Sequence, residues 1–313
     1  MAMSQEDRRA LERLELRIQT ILPEEYQDCY EDVVPVSMGS AGLKYGRDGK
    51  VAWQDIWQTF CDLAMAGGPP HKGKLLLAAS QAEIAAAPER YAEVVQEICR
   101  GVKLVTFLEC AASSVPGWVR AECGSAATAG WLARAIVMEN VSARCELAGD
   151  PTGLLVPAGP GFRVEKEIKN VVTVMAKTCH YWMDHTWEAQ KRVIGDLFLT
   201  IGDEMPLLQA PVVGLDFEVG TDAVSRERLA GRIREELGLE MSDAYSPGWL
   251  GGVFPSVKAA IWMMRGMVVC NVMARREETV LFMPVSPMSD PGGDVLVRNL
   301  ARLMGFARVR GAI

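Results

Sequence analysis

The chain has 313 residues, 49% hydrophobic and 23% charged, with a formal net charge of −7. That composition excludes a disordered chain, and the length suffices for about two domains with their own cores. The acidic balance without any basic run argues against nucleic-acid and anionic-membrane partners, and no window of about twenty apolar residues offers a membrane span.

The N-terminus, MAMSQEDRRALERLELRIQTIL, is charged throughout and lacks the short apolar core of a signal peptide. Eight cysteines stand at Cys29, Cys61, Cys99, Cys110, Cys123, Cys145, Cys179 and Cys270, with no C-x-x-C among them. A cytoplasmic protein with reduced thiols is the expectation.

The first predicted element is a helix over 4–22. Ser4 caps it, and Leu11, Leu14, Ile18 and Leu22 form one apolar stripe. That stripe faces either the body of the chain or a second copy, so a homodimer through the N-terminal helix is an open alternative. Residues 33–45 read as a short extended piece and a Gly-rich turn. Gly39, Gly42 and Lys44 fall short of a P-loop, which needs G-x-x-x-x-G-K-[ST].

From Lys50 onward the pattern predicts a helix over 53–66 and a strand over 75–78. A helix over 88–100 closed by Gly101 follows, then strands over 102–108 and 118–123. Ser125 caps the next helix, which ends near Glu139 with Asn140 in the left-handed position. Strands over 142–147 and 153–157 form a hairpin about Asp150-Pro151. This βαββαβ order resembles the ferredoxin-like split βαβ pattern, an α+β sandwich with helices on one face of an antiparallel sheet.

The chain then writes the pattern again. Pro116 to Arg144 reads PGWVRAECGSAATAGWLARAIVMENVSAR, and Pro247 to Arg275 reads PGWLGGVFPSVKAAIWMMRGMVVCNVMAR. At a constant offset of 131, twelve of the twenty-nine positions are identical. They include Trp118/Trp249, Trp131/Trp262, Arg134/Arg265, Asn140/Asn271 and Arg144/Arg275. A tandem duplication is the expectation. It divides the chain into an N-terminal arm (1–49), a ferredoxin-like unit 1 (50–178) and a ferredoxin-like unit 2 (179–313). At an offset of 134, Trp53, Asp62 and Gly68 align with Trp187, Asp196 and Gly202. A long helix through Trp187 is expected to connect the units.

Three groups of residues could carry chemistry. Trp131 and Trp262 sit within helices as core residues, but the duplicated Arg134, Arg265, Arg144 and Arg275 could converge and grip a carboxylate or phosphate bidentately. His71 and Lys72, in a Gly-rich loop whose counterpart carries acids instead, could join them. Ordinary surface or sheet-edge arginines and a solvated loop are the competing readings.

The third group is Cys179-His180-x4-His185. On a continuous helix residues five apart differ by about 140°, so His180 and His185 are not expected to share a face. His180 and Asp184 are, as a His–carboxylate pair for proton transfer or for weak metal ligation. The expected function is binding, with or without turnover, of a small anionic molecule in a cleft between the two units. A metal protein built on His180, Asp184 and His185, or a non-catalytic interaction protein, are the alternatives. No motif names a reaction or a cofactor.

Overall fold

The computed structural model describes residues 4–28, 42–56, 61–146, 152–212 and 219–313. The fold is α+β, with helices and two small antiparallel sheets. No helix among the described residues is long and apolar enough to cross a membrane. Packing divides the chain at Lys191/Arg192. The first unit takes the described residues from 42 to Lys191 together with Pro23–Glu25. The second takes Arg192–Ile313 and the N-terminal helix α1, Gln5–Ile21.

The first unit runs α2 (Gln81–Ala86), α3 (Pro88–Thr106), β1 (Cys110–Ala112), β2 (Trp118–Glu122) and α4 (Ala126–Met138), then β3 (Arg144–Glu146) and β4 (Gly153–Pro157). A π-helical turn, Val164–Ile168, then leads into α5 (Lys169–Asp184). The strands lie in the order β1-β2-β4-β3, all neighbours antiparallel. Strands β2 and β3 are joined through α4 with β4 inserted between them, which is a split βαβ arrangement.

After α6 (Glu188–Glu204), the second unit contributes α7 (Val219–Leu237), β5 (Trp249–Val253), α8 (Val257–Val269), β6 (Arg275–Glu277), β7 (Val280–Pro284) and α9 (Asp294–Arg310). Its sheet order is β5-β7-β6.

The pairings of the two sheets correspond residue by residue. Trp118 faces Pro157 and Trp249 faces Pro284, while Arg144 faces Leu155 and Arg275 faces Phe282. Single parallel bridges, Leu76 to Val141 and Leu208 to Val272, sit beside the two helix ends. Ser125 and Ser256 each accept the N–H three residues on, capping α4 and α8. Gly117 and Gly248, at φ +86° and +73°, make the left-handed step into β2 and β5. A Cβ on Gly117 would lie 2.3 Å from the Ala79 carbonyl oxygen.

Asn140 and Asn271 both have φ of 60°, as their place after the helix predicts. Each then uses its side chain. Asn140 Nδ2 donates to the Lys72 carbonyl at 2.8 Å and Asn271 Nδ2 to the Met205 carbonyl at 2.7 Å. Their backbone carbonyls accept from Leu76 and Leu208. One residue thus ends the helix and ties down the incoming chain.

Trp131 and Trp262 are core residues, as expected. Trp131 leans on Trp182 with ring centroids 5.2 Å apart. The stripe of Leu11, Leu14 and Ile18 on α1 is buried, and α1 packs on α8 of the same chain. Arg310 pairs with Glu15 at 2.6 Å at its flank.

Several expected elements differ. The strand over 102–108 is the end of α3, because Gly101 does not close that helix. It admits close packing instead: a Cβ there would lie 2.6 Å from Val172 Cγ2 and 3.1 Å from Trp53 Nε1. The helix ends six residues later at Phe107, φ 62°. The expected helix over 53–66 shows a 3-10 turn at Trp53–Asp55 and an irregular stretch from Cys61, with residues 57–60 outside the described set. Trp53 is fully buried whereas Trp187 is 67% exposed, so these aligned tryptophans sit in unlike surroundings. The strand over 75–78 is reduced to the Leu76 bridge. The connector is interrupted at His185–Trp187, giving α5 and α6 rather than one helix. Gly39, the Asp150-Pro151 turn and most of the strand expected over 212–217 lie outside the described residues.

The asparagine turns generate a test. Asn140→Ala and Asn271→Ala lose a hydrogen bond and place an alanine at positive φ, each expected to cost about 2 kcal/mol. The glycine variants lose the bond but not the conformation, and are expected to cost about 1 kcal/mol or less. Denaturant unfolding of the four variants decides; equal losses for alanine and glycine would mean that the left-handed backbone carries no strain.

Candidate functional site

The repeated arginines are held inside their own units. Arg134 is buried and donates to the Gly130 carbonyl at 2.8 Å, one turn back on α4. Burial pushes its guanidinium down to about 10. Arg265 is likewise buried in α8. Arg275 is fully buried, pairs with Glu277 at 2.6 Å, donates to Ser246 Oγ at 2.8 Å and stacks 3.9 Å over the Phe282 ring. Burial lowers it to about 10, with Glu277 opposing. Arg144 is half-buried on β3. Of the four arginines expected to grip a ligand, three are therefore closed off from solvent in the core or under a sheet.

His71 and Lys72 belong to a buried polar centre at the C-terminal end of α4. Glu139 is completely buried there and pairs with Lys177 of α5 at 2.8 Å. Its carboxylate also accepts the N–H groups of Ala64 at 2.9 Å and His71 at 2.8 Å. Lys177 Nζ lies 3.1 Å from Cys61 Sγ and donates to the Asp62 carbonyl at 3.0 Å. Burial pushes this ammonium down, but the charge of Glu139 and Cys61 and the hydrogen bonds to both together hold Lys177 above its ordinary value.

His71 Nε2 meets Asn170 Oδ1 at 3.2 Å. Burial lowers the His71 pKa, with Glu139 opposing, so the ring is neutral near pH 7. Lys72 contributes its backbone, as donor to the Glu139 carbonyl and acceptor from Asn140. This centre fastens the 61–74 segment to α4 and α5, with two full charges compensated out of water.

The second unit uses the same places differently. Cys270 stands 131 residues after Glu139, and Phe306 stands 129 after Lys177, the offset that also relates Asn170 to Asn299. Where His71 meets Asn170, Met205 meets Asn299, with Asn299 Nδ2 3.3 Å from Met205 Sδ. No ion pair links Cys270 and Phe306. They line an open pocket of about 340 Å³ beneath α1.

Ala10, Leu14 and Leu303 complete its apolar floor, and Arg13, Arg17, Arg302 and Glu204 supply its charge. Arg17 is engaged by Glu204 through both nitrogens, at 2.6 and 3.1 Å. That contact holds the Glu204 carboxylate below its ordinary range and Arg17 above its own. Arg302 lies 5.4 Å over the Phe306 ring. Among the described residues neither Arg13 nor Arg302 has a carboxylate at ion-pair distance. Burial pushes the Cys270 thiol up to about 11 despite Arg302 and Arg17, so it is protonated at neutral pH and is no thiolate nucleophile.

Arg13 and Arg17 are one helical turn apart, which is a sequence-level signal. Their convergence with Arg302 depends on how α1 docks, which no local pattern encodes. The helix N-terminus at Gly293 is no anion site, since Asp290 already accepts the Val295 and Leu296 amides.

The histidine cluster behaves unlike the helical spacing. His180 Nδ1 meets Asp184 Oδ2 at 2.7 Å, the expected pair. His185, however, also reaches His180, with Nε2 atoms 3.1 Å apart. The helix stops at Asp184 and His185 is its cap at φ −116°, ψ 6°, so the 100° step no longer applies. Its Nδ1 meets Glu25 Oε2 at 2.9 Å. Among the described residues no group of three or more His, Cys, Asp or Glu side chains is arranged to hold a metal ion.

Comparison of the chain with protein-family models, curated proteins and solved structures gave no match.

Two tests follow from the buried centre. Lys177→Met leaves Glu139 buried without its counter-charge and is expected to cost about 3–5 kcal/mol. Glu139→Gln combined with Lys177→Met is expected to cost less than the single change; a larger loss in the double variant would give the pair itself a net stabilising role.

His71 supplies the pH test. Its folded pKa lies below the unfolded value of about 6.5, so its contribution is present above that pH and fades as pH falls. The stability gap between the parent and His71→Gln is therefore expected to narrow from about pH 6.5 to pH 5. A gap that stays constant or widens would mean that the ring is not held neutral.

Proposed function

We propose that the chain is a tandem duplication of one split βαβ unit of ferredoxin-like kind, and that it binds a small anionic molecule in the second unit. The duplication is supported by corresponding strand registers, paired serine caps and paired left-handed asparagines. The observation that carries the binding reading is the pocket with Arg13, Arg17 and Arg302 set against one acid, Glu204. In a chain of net charge −7 this is a local excess of positive charge, and about 340 Å³ is the lower end of small-molecule sites.

The chemistry fits a carboxylate or phosphate group carried on a short apolar body. The anion is held by Arg13 and Arg302, the body lies on Leu14, Leu303 and Phe306, and Arg17 is released to it as Glu204 yields. Planar guanidinium groups suit bidentate contact with either kind of oxyanion. With Cys270 protonated, the pocket presents no activated nucleophile, and the reading is one of recognition.

The test is a thermal-shift screen over small carboxylates and phosphate esters, followed by titration of the best ligand. Arg302→Ala and Arg13→Ala are each expected to weaken it about tenfold or more. Glu204→Gln is expected to tighten it, because Arg17 loses its competing carboxylate. Binding that survives both arginine changes, or weakens in Glu204→Gln, would rule this pocket out.

A further inference from the structure

The surface cluster at the end of α5 poses a problem of proton placement. Asp184 and Glu25 are acceptors when ionised, so the Nδ1 atoms facing them at 2.7 and 2.9 Å carry the hydrogens. A neutral imidazole has one N–H, which leaves each Nε2 with a lone pair. Those two lone-pair atoms are 3.1 Å apart. Two acceptors at that distance need an electron-pair acceptor beside them, either one extra proton or a metal ion.

We propose that His180 Nε2 and His185 Nε2 form a binding site for a divalent first-row transition ion, with Zn²⁺, Ni²⁺ and Cu²⁺ as the fitting class. Ligand bonds of about 2.0–2.1 Å at 90° to 109° put two donor nitrogens about 2.9–3.4 Å apart, which spans the observed separation. A carboxylate on the far nitrogen of each ring is the outer arrangement that fixes the Nδ1–H tautomer. Both histidines have it, from independent positions in the chain.

The His185 backbone is also held. Its main-chain N–H donates to the Tyr181 carbonyl and its carbonyl accepts from the Glu24 N–H, while its ring packs 5.1 Å from Tyr181. The histidine side chains are 39% and 34% exposed. Two protein ligands make this an open site rather than a closed structural one.

The experiment uses the full chain without a polyhistidine tag. Zn²⁺ is titrated calorimetrically, and Cu²⁺ is followed by electron paramagnetic resonance. The expected result is one ion per chain with superhyperfine coupling to two imidazole nitrogens. Combined His180→Gln and His185→Gln is expected to abolish that signal while the protein still melts cooperatively. Asp184→Ala, an exposed change that keeps both ligands, is expected to weaken binding about tenfold or more. Should the double variant fail to fold, unchanged affinity in Asp184→Ala overturns the proposal on its own. It is equally overturned if no ion binds at roughly 100 μM, a generous limit for a site of this kind. Co²⁺ bands of sulfur-to-metal charge transfer would place the ion on cysteines and overturn it too.

Discussion

A left-handed asparagine after each central helix is the constraint on which the rest depends. At Asn140 and Asn271 the chain stops a helix, turns, and sends its carbonyl and side-chain amide to a segment sixty-odd residues earlier. The residue just before, Glu139 or Cys270, is thereby fixed at the helix end facing the helix that follows the sheet. Two polar features, the buried ion pair and the arginine pocket, include that cap position. A conformational requirement of the backbone thus decides where side-chain chemistry can be placed.

What each unit does with the position follows from one exchange. With glutamate at the cap and lysine on the next helix, the first unit closes itself and draws in backbone N–H groups to satisfy the carboxylate. With cysteine and phenylalanine there, the second unit has no charge to satisfy at that position. Helix α1 covers part of the gap instead, with arginines on the face it turns toward Glu204 and Phe306. Without an internal pair there, the second unit has an open pocket at that place.

The repeat, its serine caps, its asparagine turns and its core tryptophans were legible because each is set by residues close in sequence. The failures have physical causes too. Gly101 looked like a helix stop, yet it serves close packing against Val172 and Trp53, partners that only the tertiary structure supplies. His185 seemed to lie off the His180 face, because helical geometry was extended one residue past where the helix ends. Recurrence at the 131 offset drew attention to Arg134 and Arg275, which are buried. Arg302, which lines the pocket, has no repeated partner to mark it, since its counterpart at the 129 offset is Thr173.

The second unit is discontinuous in the chain, and this gives its folding a timetable. Helix α1 ends at Ile21 while α8, against which it packs, begins at Val257. At about 5–20 residues per second of synthesis, Leu11, Leu14 and Ile18 wait roughly 10–50 s for their cover. Every residue of the first unit precedes Arg192, so the whole of that unit is synthesised during this interval. The nascent chain therefore carries an amphipathic helix whose partner helix has not yet been made. Its acidic and basic residues, dense on the outward face, keep that helix in solution until α8 and α9 emerge to receive it.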